Sequence, residues 1–127
     1  MAKRPKILAV DDSKAVRLIA QKVLSAFACD MDEATNGYNA LFTMERALPD
    51  LILLDVSMPV MGGVEMLSLL KSKPALQVIP VIMLTSPADH AVIPKIKALG
   101  VNSILVKPFN DAALLEKIRS ILVLKAN

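Results

Sequence analysis

The 127-residue sequence contains no tryptophan, one cysteine, one histidine, one tyrosine and three phenylalanines. A single cysteine, Cys29, excludes an internal disulfide, and with no companion ligand nearby it reads as a spare thiol in a reducing compartment. A single histidine, His90, has no partner for a histidine metal pair and reads as a surface residue. Aromatic residues make up 3% of a chain that is 54% hydrophobic, so the core has to be built from Leu, Ile, Val, Ala and Met. No apolar run approaches the roughly 20 residues that cross a bilayer. The start, Met1-Ala-Lys-Arg-Pro-Lys, is basic, but the apolar stretch behind it stops after Val10 at two aspartates, which excludes a secretory signal. Charge of one sign is also scarce. The formal net charge is +3, and the basic residues are spread from Lys3 to Lys125 without a dense block, so a nucleic-acid stripe is excluded. The expectation is a cytoplasmic protein with neither membrane insertion nor nucleic-acid binding.

What is present is a regular alternation. Five short aliphatic runs, Ile7–Val10, Met31–Ala34, Leu51–Leu54, Val81–Leu84 and Ile104–Val106, read as strands. Between them lie segments with helical spacing. Ser13 predicts an N-cap for a first helix with Val16, Ile19, Ala20, Val23 and Phe27 on one side. Asn36 predicts a second cap, with Ala40, Leu41, Met44 and Leu48 facing inward before Pro49 stops the helix. Gly62-Gly63 opens a third helix that buries Leu67 and Leu70 and closes before Pro74, and a fourth ends at Gly100. A fifth starts near Asn110 and buries Leu114, Ile118, Ile121 and Leu122. Strict β–α alternation predicts an α/β fold, doubly wound, with a five-stranded parallel sheet between two helical layers. The third and fourth strands are apolar throughout, as strands buried on both faces must be. No linker or second composition interrupts the chain, so residues 1–127 are expected to form a single domain with no output domain.

In such sheets ligands bind beyond the carboxyl ends of the strands. Asp11 and Asp12 follow the first strand, Asp55 closes the third, Thr85 the fourth and Lys107 the fifth. Parallel strands bring all five residues to one rim. Taken singly each has a plainer reading: an aspartate after a strand caps a helix, a threonine there is structural, a lysine before proline is solvated. Their common placement on one edge favours a site. Carboxylates about 4 Å apart repel by roughly 4 kcal/mol at an effective dielectric near 20, which a divalent cation relieves. Mg²⁺ suits such oxygen ligands. A nucleophilic carboxylate, a metal, an ammonium group and a hydroxyl donor are the parts required for phosphoryl transfer.

The segments Ile-Leu-Ala-Val-Asp11-Asp12-Ser13, Leu-Ile-Leu-Leu-Asp55-Val-Ser-Met-Pro59-Val-Met-Gly62-Gly63, Val-Ile-Met-Leu-Thr85-Ser86 and Ile-Leu-Val-Lys107-Pro108-Phe109 resemble the receiver domains of bacterial two-component response regulators, in particular single-domain chemotaxis-type regulators. The resemblance runs from about Lys6 to Leu122. It implies a flavodoxin-like (βα)5 fold with strand order 2-1-3-4-5. It implies that a sensor histidine kinase or phosphotransfer protein donates a phosphoryl group to Asp55. Asp12, Asp55 and the backbone carbonyl of Ser57 would hold Mg²⁺, with Asp11 acting directly or through water. Lys107, Thr85 and Ser86 would contact the phosphoryl group, and the Lys107–Pro108 bond would be cis. The protein would be a switch whose only chemistry is its own phosphorylation and hydrolysis, a monomer or a phosphorylation-linked dimer. It would address a downstream protein through its fourth helix, fifth strand and fifth helix.

Four positions depart from the family pattern. Ile104 stands where an aromatic ring commonly swings inward. Ser57 and Pro87, which flank the acceptor, carry no charge to position water. Pro94 falls inside the fourth helical segment, where it removes a hydrogen bond, so that helix either begins late or is kinked and the output face is irregular. A scaffold that keeps the fold without using phosphorylation stays open as a second reading. A Mg²⁺-dependent aspartyl phosphatase would place an Asp-x-Asp pair after the first strand, and a flavodoxin a Ser/Thr- and Gly-rich loop. The two adjacent aspartates match neither.

Overall fold

A computed structural model describes residues 4–127; the first three residues of the basic start lie outside them. Five parallel strands form one sheet in the order β2-β1-β3-β4-β5. They are β1 (Lys6–Val10), β2 (Asp30–Ala34), β3 (Leu51–Asp55), β4 (Val81–Thr85) and β5 (Ser103–Val106). Helices α1 (Lys14–Leu24), α2 (Gly37–Met44), α3 (Gly63–Lys71), α4 (Pro74–Gln77), α5 (Ile93–Leu99) and α6 (Asp111–Arg119) fill the connections, and a 3-10 segment, Pro87–Val92, precedes α5. No described helix is long and apolar enough to cross a membrane.

Side chains alternate across a strand, so each strand feeds two cores. Leu8, Val10, Ile52, Leu54, Val81 and Met83 pack with α2, α3 and α5, through residues such as Met44, Leu67 and Ile96. Ile7, Ala9, Leu51, Leu53, Ile82 and Leu84 pack on the other side with α1 and α6, through Ala20, Val23, Leu114 and Ile118. Every buried hydrophobic residue is Leu, Ile, Val, Ala or Met, as the scarcity of aromatics requires. All five residues of β3 and all five of β4 are buried, which explains their unbroken apolar sequence.

Side-chain caps start the helices. Ser13 Oγ accepts the Val16 N–H, Asn36 Oδ1 the Asn39 N–H and Asn110 Oδ1 the Ala113 N–H. Several sequence expectations need correction. Helix α1 ends at Leu24, so Phe27 lies beyond it and forms an isolated antiparallel bridge with Ala126. Helix α2 ends at Met44, and Leu48 is 46% exposed rather than inward. Proline excludes its predecessor from the helical region, and here the chain leaves the helix a full turn earlier. Ile121 and Leu122 follow α6 in a turn but still pack on the core beside it. Helix α4 is an extra turn that the sequence reading lacked, begun by Pro74 at a first-turn position. Pro94 also sits in a first turn, that of α5, where no intrahelical donor is required. The late start is therefore the correct alternative, and the 3-10 turns ahead of it make this face irregular.

Candidate functional site

Strand parity sets the site. Asp55 continues the series Leu51, Leu53 on β3, and Lys107 continues Leu105 just past β5, so both side chains leave the sheet toward α1 and α6. Asp11 follows Ile7 and Ala9 with the same parity. Its N–H bonds the Ala34 carbonyl at 3.0 Å and that of Lys107 bonds the Thr85 carbonyl at 2.6 Å, which extends each ladder by one residue. Thr85 continues Val81 and Met83, is buried, and belongs by parity to the opposite face.

One carboxylate oxygen from each of Asp11, Asp12 and Asp55 lies within 4.8 Å of the other two. Asp11 and Asp55 are buried, while Asp12 is exposed. The Lys107 ammonium donates to Asp55 Oδ1 at 3.0 Å and lies 2.7 Å from Asp11 Oδ2. That second contact is one of charge: Asp11 Oδ2 is buried and has no partner with the alignment that a hydrogen bond needs. The other oxygen, Oδ1, accepts the Ser13 N–H at 2.9 Å in a local Asx turn. Half of Asp11 thus serves the chain turn, and the other half points into the cluster.

The electrostatics are out of balance. Three acids face one cation, and two carboxylates at this spacing repel by roughly 3–4 kcal/mol at an effective dielectric near 20. Burial raises the Asp55 pKa from 3.8 to about 6; the Lys107 hydrogen bond opposes that rise, and Asp11 and Asp12 add to it. Burial would lower the Lys107 pKa, but its contacts with Asp11 and Asp55 outweigh this and hold it above its ordinary value. An underbonded buried oxygen within a surplus of carboxylates fits a hard divalent cation with oxygen ligands.

The backbone shapes the rim. Gly63 must be glycine, because a Cβ there would collide with the carbonyl oxygen of Asp55 and lie 3.0 Å from the Val56 Cα. In the same loop Val60 is held at φ 69 and is 82% exposed. The Lys107–Pro108 peptide bond is cis. Ser86 and Lys107 line a hollow of about 440 Å³ with Val16, Ile19, Pro87, Pro108 and Phe109. Ser57 is exposed, and its hydroxyl donates to Asp89 Oδ1 rather than turning toward Asp55. Ile104, opposite Met83 on β5, is half-buried against the core on the α5 side. His90 is exposed, and Cys29 is half-buried, its thiol pushed up by burial.

Two contributors escaped the sequence reading. The Arg17 guanidinium donates to the Asp11 carbonyl at 2.7 Å while pairing with Glu33 at 3.0 Å, and so braces the turn after β1. Its position four residues after Ser13, on the first turn of α1, was the available signal. Asp89, buried in the segment after β4, stands three residues after Ser86 in a capping-box spacing, and that spacing was the available signal.

Comparison with known proteins agrees with this geometry. Protein PilG of Pseudomonas aeruginosa is 33% identical over 91% of this chain and 85% of its own. Sporulation initiation phosphotransferase F of Bacillus subtilis is 33% identical over 96% of this chain and 97% of its own. The structure of chemotaxis response regulator CheY4 of Vibrio cholerae superposes with a TM-score of 0.86 at 33% identity, covering 94% of this chain and all 100% of that one. The family described as the response regulator receiver domain matches residues 7–119, and the chain belongs to it.

Proposed function

We propose that Asp55 is the phosphoacceptor of a two-component switch, charged by the phosphohistidine of a sensor histidine kinase or phosphotransfer protein. The observation that carries this reading is the triad Asp11, Asp12 and Asp55 within 4.8 Å, with Lys107 against two of its members. Receiver domains bind Mg²⁺ at such an aspartate cluster, and here Asp12, Asp55 and the Ser57 carbonyl would hold it, with Asp11 acting through Oδ2 or a water. When bound, Mg²⁺ supplies the charge neutralisation that transfer needs.

The residues of the chain do the rest. An Asp55 carboxylate oxygen attacks phosphorus, the N–P bond breaks, and the departing imidazole keeps the electron pair and takes a proton. With a pKa of about 6, Asp55 is mainly the ionised nucleophile at neutral pH. Lys107, already within hydrogen-bond reach of Asp55, neutralises a phosphoryl oxygen as the new bond forms. Ser86 donates to another, and the Thr85 hydroxyl swings toward the group from the opposite face of the sheet. Hydrolysis returns the carboxylate and releases inorganic phosphate. Ser57 and Pro87 bring no charged side chain of their own to accelerate it. The altered contacts are read by a protein target on the face formed by Pro87–Leu99, β5 and α6. The chain acts as a receiver unit in the cytoplasm.

Incubation with Mg²⁺ and acetyl phosphate tests the assignment. Intact mass should rise by one phosphoryl group, and the rise should vanish in Asp55→Asn and without divalent metal. An unmodified wild type would leave only the scaffold reading.

A further inference from the structure

One buried carboxylate stands outside the cluster just described. Asp89 is 8% exposed and lies in the 3-10 segment that leads into α5. Its oxygens take three donors. Oδ2 accepts the Ser86 N–H at 2.8 Å and the Ser86 hydroxyl at 3.1 Å, and Oδ1 accepts the Ser57 hydroxyl at 3.1 Å. Ser57 lies two residues past Asp55 in the loop leaving β3, and Ser86 directly follows Thr85 where the chain leaves β4. One side chain therefore ties together the two loops that flank the acceptor, and it does so from the first turn of the output segment.

We propose that Asp89 is a positioning residue that couples Asp55 to this segment, an inference that rests on the phosphoacceptor reading. In the unmodified protein Asp89 commits the donors of Ser57 and Ser86. A phosphoryl group on Asp55 competes for the Ser86 N–H, which cannot serve both acceptors with good geometry, and its negative charge repels the Asp89 carboxylate. Once released, the segment Pro87–Val92 loses its main side-chain anchor. What is left is a 3-10 run with intrinsically poorer hydrogen bonds, the kind of element that opens first. This device occupies the place of the swinging ring that Ile104 cannot provide.

Hydrogen exchange of residues 86–93, with and without acetyl phosphate and Mg²⁺, tests the coupling, and intact mass on the same samples reports modification. In wild type, modification should raise exchange about tenfold or more, the scale of one hydrogen bond to a charged group. Asp89→Ala should show that fast exchange already when unmodified, with little further rise. Asp89→Asn, which keeps one acceptor oxygen for either Ser86 or Ser57 and carries no charge for the phosphoryl group to repel, should fall between. A merely structural Asp89 would instead raise exchange equally in both states and preserve the difference, which overturns the proposal. Equal exchange of unmodified wild type and Asp89→Ala overturns it as well. Should Asp89→Ala not fold, Ser57→Ala cuts only the bond between the loops and must still diminish the wild-type difference. If mass shows modification but wild-type exchange stays constant, the coupling fails while the acceptor assignment stands. If no mass is gained, the acceptor assignment fails, and the coupling with it.

Discussion

Asp55→Asn should stabilise the metal-free protein at alkaline pH. Burial among acids has raised the Asp55 pKa from 3.8 to about 6. The folded-state value lies above the unfolded one, so folding favours the protonated carboxyl. This contribution is fully present below about pH 4 and is lost as pH rises through about 6. The difference is on the order of 3 kcal/mol. Asparagine mimics the neutral acid at every pH. Without divalent metal, the variant should match wild type near pH 4 and exceed it by up to about 3 kcal/mol at pH 8, on the order of 10 °C in Tm for a chain of this size. Mg²⁺ should narrow the gap, because a cation that binds only the folded wild type at 100 times its Kd returns about 2.7 kcal/mol. Urea titrations at pH 5 and 8, each with EDTA or Mg²⁺, measure all four arms. A variant less stable than wild type at pH 8 in EDTA, or a gap that ignores pH, would refute the reasoning.

Other substitutions probe the same arrangement. Lys107→Met leaves two buried carboxylates without their cation and should cost about 3 kcal/mol in EDTA, with part recovered in Mg²⁺; equal losses in both buffers in urea titrations would argue against a shared charge cluster. Gly63→Ala drives a methyl group into the Asp55 carbonyl oxygen, so it should lose about 3 kcal/mol or more and slow phosphorylation by acetyl phosphate. Val60→Asn relieves a β-branched residue at φ 69 and should gain about 1 kcal/mol, read as a raised Tm with unchanged phosphorylation.

The sheet and the rim were legible because their signals are local. The apolar runs of β3 and β4 could only be buried strands, and Ser13, Asn36 and Asn110 stand one residue ahead of the helices they cap. Parallel geometry then gathers Asp11, Asp12, Asp55 and Lys107 without further information. What escaped depends on contacts distant in sequence. Phe27 keeps helical spacing with Val23, but it is drawn into a bridge with Ala126 at the far end of the chain. Leu48 fits the period of α2, yet the helix ends at Met44 and leaves it exposed. Asp89 is readable from its spacing to Ser86 only as a helix cap, because the third of its donors, Ser57, lies 32 residues away.

The central claim is that Asp55 itself carries the phosphoryl group. Borohydride reduces an acyl phosphate to the alcohol, which converts a phosphorylated aspartate to homoserine at the modified position only. After treatment with acetyl phosphate and Mg²⁺, peptide sequencing should find homoserine at residue 55 and aspartate intact at residues 11 and 12. Homoserine at either of those two positions, or none at residue 55 in protein that has gained the mass, would contradict the account.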